Sequence, residues 1–355
     1  MSARSLQCCG LRPPPGRPIG FLLCLAVLAV GCAHGPPARR LGTFSAGDPA
    51  WPERDPQPRI GYVGELRAPE NLGIERSRWS RFWSFFAGDP ESDEMVRPVA
   101  VAVAPDGRVA VSDAGRRAVH LYDPAHGEYR RISGHLASPA GLAFAPDGTL
   151  WVSDPEVHKV YGHDREGHLV RTLEDYVRPT GLALSADGKS LLVVDTGSHA
   201  VISEPLGKGE RWFFGGRGSE PGKLNYPTWI AVGRGGEIFV CDALNFRVQV
   251  FDSRGRFLRG IGQLGDGPGD LSRPKGIGLD GQGDLYVVEA DADVVQIFDP
   301  EGRLALVFGG RGVGNGRFWL PQGAAVDAGN RLFVADAYNG RVQVFALLPA
   351  PGGKP

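Results

Sequence analysis

The sequence predicts an all-β fold, a closed ring of six four-stranded sheets in the manner of a β-propeller, and three observations carry that expectation. One segment recurs six times, opening on Pro98, Pro139, Pro179, Pro227, Pro274 and Pro321. A spacing of about 40 to 48 residues is that of an array whose units bury their faces only against their neighbours. Within each unit the apolar runs are too short for helices and are separated by glycine-containing turns. The sixth unit lacks a fourth strand, while a strand of the right kind stands alone upstream of the first.

Taken in order, residues 1–31 read as a signal peptide. Basic residues through Arg17 precede the apolar stretch Ile19 to Val30, which is too short to span a bilayer. It ends in Ala29-Val30-Gly31-Cys32, which resembles the lipobox of bacterial lipoproteins and implies lipid attachment at Cys32. Ala33 follows, and by the sorting habit of those proteins the absence of Asp there points to the outer membrane. Residues 32–58 carry Pro36, Pro37, Pro49, Pro52, Pro56 and Pro58 with little apolar periodicity, so an extended tether is expected. Next comes Ile60 to Leu66, the strand expected to complete the last sheet, so that the ring spans residues 59–346. An insert at 67–96 contains Trp79, Phe82, Trp83 and Phe86 at i, i+3, i+4 and i+7, one face of a helix. That face is expected to plug a gap on the ring or to contact a partner or membrane.

The units themselves begin with short inner strands such as Gly141 to Phe144. Turns follow at Asp106-Gly107, Asp147-Gly148, Asp187-Gly188, Gly235-Gly236, Gln282-Gly283 and Gly329-Asn330, pairs suited to two-residue hairpins. The third unit has one extra residue near Lys189 and Ser190, which predicts a bulge or a wider turn. Second strands close on an acid: Asp113, Asp154, Asp195, Asp242, Glu289 or Asp336. Six alike suggest a structural duty, since an acid beside a turn accepts hydrogen bonds from nearby amides. Third and fourth strands complete five units, and residues 347–355 form a Pro- and Gly-rich tail expected to be disordered.

The stretches Asp242-Ala243-Leu244-Asn245-Phe246-Arg247-Val248-Gln249 and Asp336-Ala337-Tyr338-Asn339-Gly340-Arg341-Val342-Gln343 resemble NHL repeats. That family forms six-bladed β-propellers, so the resemblance implies the fold over roughly 59–346 and says little of function, because such rings serve enzymes, receptors and scaffolds. In the other four units Asn245 and Arg247 are replaced by Arg116 and Ala118, Val157 and Lys159, Ser198 and Ala200, and Ala292 and Val294.

Composition narrows the function. The chain has 39 Lys plus Arg against 40 Asp plus Glu, and loss of Arg4, Arg12 and Arg17 with the leader leaves 36 against 40. No basic footprint for nucleic acid exists. After the leader, Cys241 is the one cysteine besides Cys32, so no disulfide framework is present and Cys241 reads as a small buried apolar residue. The loops after second and fourth strands should share a face, and the irregular residues there are the candidate ligand contacts: Arg116, Arg117, His158, His199, Phe246, Asp293 and Tyr338. No catalytic residue and no cofactor is expected. Calcium at Glu289, Asp291 and Asp293, or zinc near His158 and His199, is the alternative. The reading is a lipid-anchored, monomeric, non-enzymatic ring of the bacterial cell envelope that presents one face to a protein, peptide or glycan. A metal-dependent enzyme of the lactonase or peptide-amidating lyase type is the alternative.

Overall fold

The computed structural model describes residues 40–45, 47–53, 57–75 and 93–348. Cys32 and the aromatic insert with Trp79, Phe82, Trp83 and Phe86 lie outside the described residues. After β1 (Ala50–Trp51) and β2 (Ile60–Leu66) come six antiparallel blades. Blade 1 is β3 (Pro98–Val103), β4 (Val109–Asp113), β5 (Ala118–Asp123) and β6 (Glu128–Ile132), and blade 2 is β7 (Leu142–Phe144), β8 (Leu150–Asp154), β9 (Lys159–His163) and β10 (Leu169–Leu173). Blade 3 is β11 (Pro179–Leu184), β12 (Ser190–Asp195), β13 (Ala200–Pro205) and β14 (Trp212–Gly215), and blade 4 is β15 (Pro227–Val232), β16 (Ile238–Asp242), β17 (Arg247–Phe251) and β18 (Phe257–Ile261). Blade 5 is β19 (Pro274–Leu279), β20 (Leu285–Glu289), β21 (Val294–Phe298) and β22 (Leu304–Gly309). Blade 6 is β23 (Pro321–Val326), β24 (Arg331–Asp336) and β25 (Arg341–Leu347), and it is completed by β2.

Closure follows the sequence expectation: β2 pairs antiparallel with β25, from Ile60 opposite Leu347 to Leu66 opposite Val342. The inner strands touch in turn, β3 to β7 and on through β23 back to β3. Six apolar clusters fill the six gaps between blades, as between blades 3 and 4, where Val194 and Phe214 meet Val240 and Phe251. Burial of these faces is what holds the ring. At the join, Val63 and Leu66 of β2 pack with Met95, Val111 and Tyr122.

Two expectations need correction. The inner hairpins are not two-residue turns. In blade 1 the Ala104 amide donates to the Arg108 carbonyl and the Gly107 amide to the Ala104 carbonyl, a three-residue loop in which only Gly107 has positive φ. The same pattern recurs at Thr149, Glu237, Asp284 and Arg331, a type I turn ending in a left-handed residue. In blade 3 the loop is wider by one residue, and the Ser190 amide donates to Ser185 Oγ. The tether also begins earlier than expected to belong to the ring. Ala50–Trp51 pairs with β2 as a fifth strand, Trp51 is buried against Phe308 and Phe345, and Leu41 and Phe44 pack beside β2. Gly64 allows this, since a Cβ there would lie 2.9 Å from Leu41.

Candidate functional site at the loop face

The acid at the end of each second strand fixes the face on which function would sit. Each is buried and accepts bonds from amides of the loop that enters its own blade. Asp113 takes Val96 at 2.7 Å and Arg97 at 3.0 Å, Asp195 takes Arg178 at 2.6 Å, and Asp336 takes Trp319 at 2.8 Å. The loops after second and fourth strands are thereby tied together at one end of the ring. Burial opposes ionisation of Asp113, but His120 and the amides of Val96, Arg97 and Arg116 outweigh it and hold its pKa below the usual carboxylate range.

In blades 4 and 6 the second oxygen of the acid is engaged as well. Asp336 Oδ2 accepts from Asn339 Nδ2 and Arg341 Nε at 2.8 Å and from Gln343 Nε2 at 2.9 Å. Arg341 also donates to the Gly314 and Arg317 carbonyls and, at 2.8 Å, to Glu65 on β2. Asn245, Arg247 and Gln249 repeat the pattern on Asp242. Blade 5 departs from it. Ser272 and Arg273 bond one oxygen of Glu289, while Oε1 is buried without a hydrogen-bond partner because Ala292 and Val294 replace the Asn and Arg. Burial first, and Asp291 beside it, push the Glu289 pKa up.

The candidate ligand residues divide into two kinds. Arg117, His158, His199, Phe246 and Asp293 share one register, the left-handed position after each second strand, with φ between 52° and 59°. Several serve the backbone there. His158 Nδ1 contacts the Val177 carbonyl at 2.5 Å, buried His199 accepts from the Tyr226 amide at 3.1 Å, and Asp293 accepts from the Leu320 amide at 2.7 Å. Arg116 reaches the Glu94 carbonyl, Arg117 is exposed and Phe246 is half-buried. The three blade 5 carboxylates do not converge: Asp291 pairs with Arg273 at 2.9 Å, while Glu289 and Asp293 hold separate amides. Among the described residues no group of three or more His, Cys, Asp or Glu is placed to hold a metal.

Tyr338 is different. It is 58% exposed and stacks on Trp319 at 5.9 Å, with the Arg311 guanidinium 5.8 Å from the Trp319 ring. Such an aromatic and Arg cluster is the composition of a binding hot spot.

Near the centre of this face one inner-strand side chain reaches well beyond its own blade. The second residue after each opening Pro is Ala100, Gly141, Gly181, Trp229, Gly276 or Gly323. Trp229 of blade 4 packs on the cluster between blades 4 and 5 and also on that between blades 1 and 2, so its indole crosses the axis. A Cβ at Gly323 would lie 2.7 Å from the indole, which shows why that position stays bare.

Comparison with known proteins agrees with this geometry. A family described as NHL repeat matches residues 318–345, and one described as 6-bladed beta-propeller matches residues 230–299. The chain is a six-bladed β-propeller with an NHL-repeat match in its last blade. The RING finger protein nhl-1 of Caenorhabditis elegans is 44% identical over 55 residues, which is 16% of this chain and 6% of that protein's length. The propeller also resembles an auxiliary nutrient binding protein from Bacteroides thetaiotaomicron, with a TM-score of 0.59, 14% identity and coverage of 71% of this chain and 69% of that one. A gluconolactonase from Xanthomonas campestris gives a TM-score of 0.57 at 16% identity, covering 72% of this chain and 87% of that one. At such identities the likeness is one of fold.

Three features of the propeller escape a reading by motif. Trp319 and Arg311 lie in an interblade connection, and only its folding brings them to Tyr338. Trp229 carries its signal in the repeat alignment, as the one large residue in a column of Gly and Ala. Cys241, by contrast, is fully buried as its apolar neighbours imply, and burial pushes its thiol up to about 12.

Proposed function

We propose that the propeller is a non-enzymatic binding module, lipid-anchored through Cys32 in the outer membrane of a bacterial envelope, that meets a protein, peptide or glycan through its loop face. The observation that carries this reading is where the exposed apolar side chains lie. Of thirteen large exposed apolar residues among the described residues, eight stand on the loop face: Val96, Val177, Tyr226, Leu244, Leu264, Val313, Trp319 and Tyr338. The other five are on outer strands, and none is on the hairpin-turn face. Apolar surface concentrated on one face of a ring is the mark of an interaction site. The nutrient-binding relative supports a binding role by analogy of fold. A metal-dependent enzyme of the lactonase or peptide-amidating lyase type is the alternative; among the described residues no group of three or more His, Cys, Asp or Glu is placed to hold its metal.

The test is substitution by face. Replacing Arg311, Trp319 and Tyr338 by Ala should abolish capture of the envelope partner by the full chain, since losing several hot-spot residues typically removes 2 kcal/mol or more each. Replacing the exposed Arg234 and Arg254 of the turn face should leave capture intact. Capture lost only with the second set would assign function to the other face.

A further inference from the structure

Blade 3 lacks three side chains with which blades 4 and 6 fill one space. There the acid closing the second strand is met by an Asn, an Arg and a Gln: Asn245, Arg247 and Gln249 on Asp242, and Asn339, Arg341 and Gln343 on Asp336. In blade 3 these positions are Ser198, Ala200 and Ile202. Buried Asp195 accepts, among the described residues, one amide on each oxygen, from Val177 at 2.9 Å and Arg178 at 2.6 Å. A carboxylate can accept more than that.

The connection over this space differs as well. Eleven or twelve residues lead into each of blades 4, 5 and 6. The Gln of the third strand pins that segment: Gln249 bonds Gly222 and Lys223, Gln296 bonds Gly269 and Asp270, and Gln343 bonds Gly316 and Arg317. Residues 174–178 alone lead into blade 3, and Ile202 has nothing with which to pin them. The result is a cavity of about 420 Å³, lined by Asp195, Ser198, Ala200, Ile202, Trp212 and Phe213 among others. We propose that it receives the arginine side chain of a peptide, whose guanidinium completes Asp195 as Arg341 completes Asp336.

Charge and shape both favour this occupant. Asp175, Asp195 and Glu204 stand around the site against Arg211 alone, and Arg211 is engaged. Its Nε pairs with Glu204 at 3.1 Å, a terminal nitrogen donates to the Asp175 carbonyl at 3.1 Å, and the guanidinium lies 4.8 Å from the centre of the Tyr176 ring. The Phe213 side chain is 74% exposed, in a register held elsewhere by Glu65, Arg131, Thr172, Gly260 and Val307. With Trp212 it offers aromatic surface to a guanidinium, while Val177 and Ile202 suit the alkyl stem. β14 is the outer strand of its sheet, so the cavity lies at the rim of the ring, where a peptide backbone has room. These residues are separate from Arg311, Trp319 and Tyr338, so the inference does not rest on the loop-face reading.

The experiment is saturation-transfer NMR on the full chain with capped Gly-Arg-Gly, and with the same peptide carrying citrulline, the neutral isostere of arginine. The arginine peptide should show saturable transfer, and the citrulline peptide should bind at least about tenfold more weakly. Ala200→Arg installs the side chain that blade 6 carries and should abolish binding by filling the site from within. Phe213→Thr, which copies blade 2, should weaken binding roughly threefold or more. Absence of arginine-peptide binding, equal binding of the citrulline peptide, or unchanged affinity in folded Ala200→Arg would each overturn the proposal. Should Ala200→Arg fail to fold, Phe213→Thr decides, and unchanged affinity there overturns it. Agmatine bound in preference to the peptide would overturn the assignment to a peptide. Tyr338→Ala should leave arginine-peptide binding as it was. Loss of the envelope partner in that variant with peptide binding intact keeps the two sites distinct.

Discussion

Replacement of Arg341 by Met tests how the ring is locked. Its side chain is 2% exposed and joins three segments: Asp336 on β24, Glu65 on the closing strand β2, and the Gly314 and Arg317 carbonyls of the connection from blade 5. Met fills much of the volume but takes the cation from fully buried Asp336 and one of the two cations from Glu65, which keeps Arg67. Asp336 retains Asn339, Gln343 and the Trp319 amide as hydrogen-bond donors, and Glu65 retains Arg67. Burial works against ionisation of Glu65, and Arg67 and Arg341 together hold its pKa below the usual value. Breaking a buried pair from one side costs about 3–5 kcal/mol. Arg247 of blade 4 is the internal control: its side chain is 20% exposed and it has no partner on a closing strand, so Arg247→Met should cost only about 1–2 kcal/mol. Urea unfolding with a slope of roughly 3 kcal/mol/M would put the Arg341→Met midpoint about 1–1.7 M below that of the unaltered chain. A shift no larger than that of Arg247→Met would refute the idea that Arg341 locks the closure.

Three further outcomes follow from the same reasoning. Cys32→Ser should release the protein from membranes, because among the described residues no helix is long and apolar enough to anchor it; continued sedimentation in high salt of unaggregated, processed protein would contradict this. Deleting residues 50–66 should unfold the ring or drive it to oligomers. It removes buried Ile60, Tyr62, Val63 and Leu66, at about 1.5–3 kcal/mol each, and exposes the edge of β25. A monomeric deletion with unchanged melting would show that the ring closes otherwise. Acid should weaken the fold between blades 1 and 2, where buried His163 faces His135 at 2.9 Å and burial, then His135, lowers its pKa to about 4. An unfolded histidine takes its proton near pH 6.5, so between there and about 4 the unfolded state binds more protons and stability falls with pH, by about 2 kcal/mol at pH 5. His163→Gln should flatten the dependence seen in urea melts at pH 7 and 5, and an equal slope in both proteins would count against this origin.

The fold was legible because the repeat is written in strand-length apolar runs, and because the missing strand of blade 6 had a visible substitute at Ile60 to Leu66. The short pairing of Ala50–Trp51 was not legible, since Pro49 and Pro52 on either side read as tether and the burial of Trp51 depends on Phe308 and Phe345, far along the chain. The hairpins were misjudged by one residue because Asp-Gly suits both a two-residue turn and the end of a type I turn. At the site, Tyr338 was visible as an irregular residue between strands. His199 and Asp293 were visible for the same reason but serve the backbone, because a left-handed residue beside a loop amide is well placed to accept from it. The indole of Trp229 shows its role only when six inner strands are brought around one axis.

The claim at the centre of this reading is that partners meet the loop face. A photo-cross-linking residue placed at Tyr338, and in a second protein at Gly235 on a hairpin turn, tests it in native envelopes. Cross-links to a discrete partner are expected from position 338 and none from position 235. Adducts from 235 alone, in a protein that folds and sorts normally, would contradict it.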